Sequence, residues 1–579
     1  MVVYNLPIMF IERVPNRNLP PTILIRSSHR EGKKTFKATH ANLTGLPESI
    51  ISVIELALKG KQIVCAEEAF KITRSLPHGH VEAICASFKK LDLERIVSST
   101  QSRERNIVLA MIASRIISPC SKLAMTKQLK ATTLGEEFGL KDVPEDEVYA
   151  AMDWLYSRKE RIEKKLVDRH LKSEEDKALV LYDISSSSYY GETCPLAKWG
   201  YNRDKKKMPS IVYGILTDKR GCPLAVEIYE GNTSDSKTVM DQIEKLTRKY
   251  GVKRLVFVGD RGMVTGTQIK EFKKREGLGW ITALRSCQIR TLLDNGEIQP
   301  SLFDERHLAE ISSPEYPGER LVVCRNPIML QRRRNERASL LQKTEEALKD
   351  LQKSLARLTK TPLSESEIGD KSGRILDKHK MRKHFTVTIS AGKLDYVRNA
   401  ESIEQEEQLD GIYIIRTSEP VEEFSDKEVV GTYKSLSQVE DAFRCIKGMD
   451  LSIRPIRHRL DERVKTHVFL CLLSYYVEWH MRKALSSVLY QDEEKETLER
   501  DDPVSPAKVS DLSQKKKSRG KTEANWTVYD WKSLILELGT CCRNKCVVET
   551  GDYRGEFVQT TLRTPFQEHV FNLLWLMVQ

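Results

Sequence analysis

The sequence predicts an α/β protein in which a mixed sheet is flanked by helices, interrupted by an inserted domain and preceded by a largely helical region. Residues 178–182 form an uninterrupted apolar run that ends at Asp183, which indicates a buried strand. A second apolar strand, within 253–262, ends at Asp260. The segments between them predict the order strand, strand, strand, helix, strand. Both aspartates therefore follow buried strands, where open sheets place their ligand sites.

Asp183 and Asp260 are candidate metal ligands. Paired carboxylates are the usual protein ligands of hard divalent cations that also hold phosphates. Asp is also a common turn former, so the alternative for either residue alone is that it caps a turn.

Length and charge narrow the class of protein. At 579 residues the chain is too long for one core and is expected to contain three or four domains. It has 94 basic and 82 acidic residues, a net charge of +12, and an isoelectric point near 8.9. This balance favours a polyanionic partner, and a solvated basic surface is the alternative. No apolar run approaches the about 18 residues of a membrane span.

The cysteines indicate the compartment. Twelve cysteines occur without a secretory leader, so we expect reduced thiols in a cytoplasmic protein, associated with the nucleoid when it binds DNA. The closest group, Cys541, Cys542 and Cys546, lacks the paired spacing of a zinc site and is interpreted as structural.

Two segments precede the sheet. Residues 1–50 are β-rich, with a hairpin predicted around the polar turn at 30–33. Residues 51–172 have helical spacing. Basic side chains surround the apolar positions: Arg103, Arg105, Arg115, Lys122, Lys127 and Lys130. These helices fit a DNA-binding bundle, and plain helical packing with solvated lysines is an equal alternative.

The first part of the sheet domain, which carries the candidate metal ligands, covers residues 173–286. After Asp183, the loop 198–207 mixes aromatic and cationic residues, including Tyr201 and Arg203, a combination suited to stacking on bases and pairing with phosphates. A hairpin, a helix that ends at Gly251 and the strand before Asp260 follow. A further helix and strand extend the sheet.

Residues 287–410 interrupt the alternation of strands and helices and are interpreted as a domain inserted into the sheet domain. Leu341, Leu348 and Leu355 predict a short helical arm, next to the basic residues 332–334. The apolar run 411–415 then returns the chain to the sheet. It begins the second catalytic part, 411–485.

Residues 433–447 predict one helix. Tyr433, Glu440 and Lys447 recur every seven residues and so share one face, beside a core-facing apolar stripe. A solvated helix edge is the alternative for these three residues. After this part, 486–525 are interpreted as a flexible linker and 526–579 as a C-terminal segment whose function the sequence does not show.

Together these residues resemble the DDE transposases of bacterial and archaeal insertion sequences, in the branch with the signature Tyr-x2-Arg-x3-Glu-x6-Lys. The signature here is Tyr433, Leu436, Glu440 and Lys447, with Leu436 where the family has Arg. Arg444, one helical turn after Glu440, is the candidate substitute. Further family-like marks are the run 200–204 and the group Gly231, Asn232 and Asp235.

The resemblance implies an RNase H-like catalytic domain with Asp183, Asp260 and Glu440 as its catalytic acids. These acids would hold two Mg²⁺ (or Mn²⁺) ions for cleavage at insertion-sequence ends and strand transfer into target DNA. It also implies binding of double-stranded DNA, by a homodimer in the complex. The expected DNA-binding residues are Tyr433, Lys447, Arg444, Arg203 and Tyr201.

Two other functions and three other acids are alternatives. A nuclease of the same fold would cleave without joining, and an inactive relic would only bind DNA. Glu227 and Glu230 lie nearer Asp260 in sequence than Glu440 does, but they belong to the hairpin rather than to the helix. Asp441 points about 100° away from Glu440 on that helix.

Overall fold

The computed structural model describes residues 8–17, 19–61, 70–171, 177–298, 308–358, 362–390, 392–493, 504, 509–550 and 553–577. The chain divides into two compact units, Met1–Pro77 with Cys541–Leu562, and His78–Thr540 with Arg563–Gln579.

The strands and helices of the described residues are named in chain order. The strands are β1 (Met9–Val14), β2 (Thr22–Glu31), β3 (Lys34–Asn42), β4 (Lys71–Pro77), β5 (Ala178–Ser188), β6 (Ser210–Asp218), β7 (Pro223–Glu230), β8 (Leu255–Gly259), β9 (Leu278–Ala283), β10 (Leu308–Ile311), β11 (Arg320–Arg325), β12 (Phe385–Ser390), β13 (Lys393–Arg398), β14 (Ile412–Thr417), β15 (Cys542–Thr550) and β16 (Tyr553–Thr560). The α-helices are α1 (Glu48–Leu58), α2 (Gly79–Lys90), α3 (Leu93–Val97), α4 (Arg103–Ile117), α5 (Lys122–Ala131), α6 (Leu134–Glu137), α7 (Glu145–Tyr156), α8 (Lys159–Leu171), α9 (Asp235–Glu244), α10 (Gly266–Phe272), α11 (Ser286–Asp294), α12 (Pro327–Arg357), α13 (Glu365–Lys378), α14 (Ala400–Glu407), α15 (Asp426–Lys434), α16 (Leu436–Lys447), α17 (Asp461–Ala484), α18 (Asp511–Arg519), α19 (Trp531–Gly539) and α20 (Pro565–Trp575).

The smaller unit contains two three-stranded antiparallel sheets and α1. The first has the order β1-β2-β3, and its pairing of Glu31 with Lys34 confirms the predicted hairpin. The second has the order β16-β15-β4, so it joins the end of the N-terminal segment to the C-terminal segment.

The larger unit is built on an eight-stranded sheet in the order β10-β11-β14-β9-β8-β5-β6-β7. β5, β8 and β9 are parallel, and the strands on either side of them run antiparallel to their neighbours. All of β5 except Asp183 is buried, which explains its continuous apolar run, because strands covered on both faces do not alternate in polarity. This mixed sheet, flanked by helices, confirms the predicted RNase H-like class.

Alternate residues of β5 enter the two cores of the sheet. Leu179 and Leu181 belong to a core shared with α2, α4, α7, α16 and α17. Val180 and Tyr182 belong to the opposite core, shared with α9 and α10. The helix α17 is buried along most of its length. The helical N-terminal region therefore covers the same face of the sheet as α16.

The stretch expected as one insertion, 287–410, also contributes β10 and β11 to the main sheet. A separate core begins with α12, where Leu341, Leu348 and Leu355 pack with α13, β12 and β13. α12 has 31 residues and is longer than the short arm that was expected. The backbone N–H of Asn326 donates to the carbonyl of Gly411 (2.7 Å), so this excursion starts and ends at one point.

Two predicted segments are corrected by the structure. The single helix expected for 433–447 is two, α15 and α16, because the backbone turns at Ser435, whose N–H is shared by the carbonyls of Gly431 and Thr432. Tyr433 therefore lies on a different helix from Glu440. Part of the expected linker 486–525 is the helix α18, while 494–503 and 505–508 lie outside the described residues.

Among the described helices, none is by itself long and apolar enough to cross a membrane; α4 and α5, which meet at 87°, satisfy that test only as a pair, on length and composition alone.

Candidate active site

Asp183 and Asp260 lie side by side at two central strands of the sheet, at the level where β8 ends. β5 and β8 are parallel, and Tyr182 is paired with Gly259, the residue before Asp260. Neighbouring strands are about 4.8 Å apart. The two aspartates are therefore level with each other. Asp260 follows its strand as the sequence predicts, whereas β5 does not end at Asp183 but continues to Ser188, because its residues stay paired with β6.

Glu440 lies on α16, close enough to Asp183 for its charge to act on that carboxylate. The helix packs on the face of β5 through Val439 and Phe443, which are buried in the shared core, and the Phe443 ring lies 5.8 Å from that of Tyr213. Glu440 itself remains exposed. The structure thus brings all three sequence-predicted acids to one region.

The pKa of Asp183 is set mainly by burial and also depends on the other two acids. Burial raises this pKa, and the negative charges of Asp260 and Glu440 raise it further, to about 7. The backbone N–H of Ile184, 2.8 Å from the Asp183 carboxylate, and the Arg203 guanidinium oppose the rise only in part. A mostly buried carboxylate with two further carboxylates acting on it fits a divalent cation, which prefers oxygen ligands and would balance their charge.

The carboxylate oxygens of the three acids do not all lie within 4.8 Å of one another. Among the described residues, the groups whose ligand atoms all lie within 4.8 Å are His170, Cys222 and His480, and Cys445, Asp450 and Glu478. In the first group Arg220 donates to His170 (3.1 Å), and in the second Arg482 donates to Glu478 (2.6 Å). A guanidinium thus occupies a ligand atom in each group, and neither replaces the three acids as the candidate site.

Two residues of the signature support the acids from different helices. The Tyr433 hydroxyl donates to Asp260 Oδ1 (3.0 Å), and burial beside this carboxylate raises the pKa of Tyr433. The Lys447 ammonium donates to the carbonyl of Ser186 on β5 (2.5 Å), and burial lowers the pKa of Lys447. Tyr433 therefore orients an acid, and Lys447 ties α16 to the strand that carries Asp183.

Comparison with known families decides the classification. Residues 176–477, more than half of the chain, match the family model described as Transposase DDE domain. The chain belongs to this transposase family. Membership implies a DNA-acting enzyme of the transposase type that depends on a divalent metal ion. None of the curated proteins compared matches the chain, and the assignment to the Tyr-Arg-Glu-Lys branch stays a prediction.

The departure from the signature has a structural explanation in this DDE domain. Leu436 is the first residue of α16 and packs against the apolar core, so an apolar side chain suits its position. Arg444, the candidate substitute for the missing arginine, is 76% exposed and pairs with Asp441 (2.7 Å). Arg444 therefore stays available to a partner in solution rather than contacting the acids.

The loop 198–207 of the DDE domain is held against the end of β5. The Arg203 backbone N–H donates to Ser186 Oγ (2.9 Å), and its guanidinium pairs with Asp235 (2.8 Å). The Tyr201 ring is 80% exposed and lies 5.8 Å from that guanidinium. These two predicted DNA-binding residues thus border the acids and face solvent in part.

Glycines bring the two family-like motifs together. A Cβ on Gly200 would lie 2.4 Å from the Gly231 carbonyl, and a Cβ on Gly231 would lie 1.9 Å from the Ser210 carbonyl. Real Cβ atoms do not approach carbonyl oxygens this closely. The run 200–204 and the Gly231 turn are therefore locked by backbone contact.

Asp204 is a site residue whose role was not assigned from the sequence, although it ends the noted run 200–204. Its side chain is 5% exposed and accepts from the backbone N–H of Ser188 (2.8 Å). Its carboxylate also lies 3.6 Å from Lys447 and 3.2 Å from Arg454, and these contacts lower the pKa of Asp204. Asp204 therefore connects β5, α16 and the basic segment that follows α16.

The competing acids have other surroundings. Glu227 belongs to a half-buried ion network with Lys159 (3.3 Å) and Lys245 (2.9 Å), whose charges lower the pKa of Glu227 to about 2. Asp441 pairs with Arg444. Glu230 is exposed at the end of β7 and forms no ion pair with a described residue.

Proposed function

We propose that this transposase cleaves DNA at the ends of an insertion sequence and joins the freed 3′ ends to target DNA, with Asp183, Asp260 and Glu440 as its catalytic acids. The observation that carries the proposal is the convergence of the three acids: Asp183 and Asp260 lie at paired strands, and the charges of Asp260 and Glu440 both act on the Asp183 carboxylate. Three carboxylates from separate elements around one mostly buried aspartate are typical of a functional site.

The three acids would hold two Mg²⁺ or Mn²⁺ ions. When bound, such ions activate an attacking water or 3′-hydroxyl and stabilise the leaving oxygen of a phosphodiester. The chain's own residues hold the ligands in place. Tyr433 fixes one oxygen of Asp260, the N–H of Ile184 fixes one oxygen of Asp183, and Lys447 fixes α16 against β5.

DNA would be bound by cations near the acids. Arg203 and Tyr201 border the acids from the loop, and Arg444 is exposed on α16 one turn from Glu440. Support for double-stranded DNA as the partner comes from the family and from the net charge of +12. Support for a homodimer in the DNA complex comes from the resemblance to DDE transposases.

The test uses conservative variants of the acids and two matched controls. Asp183→Asn, Asp260→Asn and Glu440→Gln should each abolish Mg²⁺-dependent cleavage of DNA that flanks the reading frame, while binding of that DNA in EDTA persists. Glu230→Gln and Asp441→Asn should cleave at near wild-type rates. The assignment fails if Glu440→Gln still cleaves, or if a folded control variant is as inactive as Asp183→Asn.

A second substrate separates the transposase from a nuclease of the same fold. An end fragment that is already cut to expose its 3′-hydroxyl needs no cleavage, so a transposase should join it to a target plasmid in Mg²⁺. Cleavage of intact ends without joining of pre-cut ends would identify a nuclease.

A further inference from the structure

A cavity of about 720 Å³ in the larger unit is lined by cations. Its described lining residues include six Arg or Lys residues and two His residues, with no Asp or Glu among them. The six are Arg115, Lys122, Arg454, Arg457, Arg459 and Arg463. They come from α4, α5, α17 and the segment before α17, so the sequence does not place them together.

The cavity leaves one of its cations buried without a counter-charge. Lys122 is 7% exposed, and its ammonium forms no hydrogen bond or ion pair with a described residue. Burial, and then the positive charge of Arg115, lower the pKa of Lys122 to about 7. The Lys122 side chain is thus mostly buried while the residue lines the cavity, and an anion in the cavity would offset the cost of this unpaired ammonium.

The other cations are only partly neutralised within the chain. Arg463 pairs with Asp153 (2.8 Å), and Arg454 pairs with Asp204 (3.2 Å). Arg115 donates to the carbonyl of Leu451 (2.8 Å) and keeps its charge. Arg457 and Arg459 are exposed and form no ion pair with a described residue, so the cavity has a net positive charge.

The start of α5 adds backbone donors to the same cavity. Ser121 caps this ten-residue helix by accepting from Ala124 N–H (3.1 Å), and Ser121 and Lys122 both line the cavity. The first N–H groups of a helix carry partial positive charge and bind phosphate oxygens readily. A tetrahedral anion would thus find an ammonium, guanidinium groups and backbone donors together.

The cavity adjoins the predicted active site. Arg454 donates to the carbonyl of Lys447 (2.9 Å) and pairs with Asp204, which is bound to β5. Ile456, within the same segment, pairs with Tyr189 just beyond the end of β5. The segment that lines the cavity is thus bonded to the helix that carries Glu440 and to the end of the strand that carries Asp183, which favours a phosphodiester of bound nucleic acid over a free anion.

We propose that this cavity binds a phosphate group of the DNA strand, with Lys122 as its buried contact. The proposal rests on the proposed DNA-processing function and adds a phosphate site outside the three acids. It favours DNA binding by two of the six basic residues named in the N-terminal helices, since Arg115 and Lys122 are mostly buried at this cavity rather than solvated.

The test compares Lys122→Met with Lys127→Met, which removes the same charge from an exposed position on the same helix. Duplex binding is measured in EDTA, so it does not depend on metal binding or cleavage. Lys122→Met should lower the affinity about tenfold or more, the loss of one charge-assisted hydrogen bond, and reduce the salt slope by about one. Lys127→Met should stay within threefold of the wild type.

Thermal stability separates an anion contact from a structural one. Without DNA, Lys122→Met should melt at the wild-type temperature or above it, because the variant removes an unpaired buried charge. Arg459→Gln, at an exposed position, should also weaken duplex binding and is the second variant if Lys122→Met does not fold. Equal losses of duplex affinity in Lys122→Met and Lys127→Met would overturn the proposal. A lower melting temperature of Lys122→Met with unchanged duplex affinity would overturn it as well.

Inorganic phosphate distinguishes the two sources of the anion. Phosphate should raise the melting temperature of the wild type and not that of Lys122→Met, and the duplex should compete with it. Phosphate binding that the duplex does not displace would overturn the assignment to DNA.

Discussion

Replacing Asp183 by Asn should stabilise the protein in the absence of metal while it removes activity. The pKa of Asp183 is raised from 3.8 to about 7 in the folded protein. At about 1.4 kcal/mol per pH unit, the charged carboxylate costs at most about 4 kcal/mol of unfolding free energy. Asn resembles the protonated acid in shape and has no charge, so the variant avoids this cost.

The effect has a defined pH window. Between pH 3.8 and about 7 the folded protein binds more protons than the unfolded chain at this residue, so the contribution of Asp183 to stability falls as pH rises. The gain of Asp183→Asn over the wild type should therefore be near zero below about pH 4 and complete above pH 7. Adding Mg²⁺ at pH 8 should stabilise the wild type and leave the variant unchanged.

The measurement is urea unfolding in EDTA at pH 5, 7 and 8.5, with Asp441→Asn as the control. Asp441 is paired with Arg444, so its loss should cost less than about 1 kcal/mol and give no gain at high pH. The reasoning is refuted if Asp183→Asn is no more stable than the wild type at pH 8.5, or if its gain does not grow between pH 5 and 8.5.

Three other substitutions have expected outcomes. Glu163→Gln should destabilise the protein by about 3–5 kcal/mol in urea unfolding, because the fully buried carboxylate pairs with Lys159 (3.0 Å) and a second buried lysine. Gly231→Ala should prevent folding or lower the melting temperature sharply, while Gly266→Ala, whose Cβ meets open space, should melt near the wild-type temperature. Tyr433→Phe should reduce Mg²⁺-dependent cleavage about tenfold with little change in DNA binding, since it removes the hydrogen bond to the neighbouring aspartate.

The parts of the fold with local signals were predictable. Asp183 and Asp260 follow short apolar runs of the length typical of buried strands, and the pairing of β5 with β8 places them together. Glu440 required the family signature, because 180 positions separate it from Asp260 and no local pattern connects the two. β11 was not predicted, although its apolar residues have the length of a strand. It lies in a stretch where strands and helices do not alternate, and that stretch was interpreted as a whole.

The remaining features depend on contacts that no local pattern records. The turn at Ser435 interrupts a stretch whose periodicity is helical on both sides. α18 forms in a polar segment because the Lys516 ammonium is buried and donates to the carbonyls of Ser486 and Leu489. Burial of Arg115 and Lys122 depends equally on helices that are distant in sequence.

The segment between Asn326 and Gly411 leaves the sheet and returns to it at the same position. This geometry makes the segment a replaceable module. A backbone hydrogen bond joins Asn326, which directly follows β11, to Gly411, which directly precedes β14, and the two strands are paired along their length. The separation of the acids is therefore independent of how many residues lie between these two positions. Doubling the length of such a closed loop costs only about 0.6 kcal/mol of entropy. Descendants of this chain can lengthen, shorten or exchange the module while the three acids keep their positions.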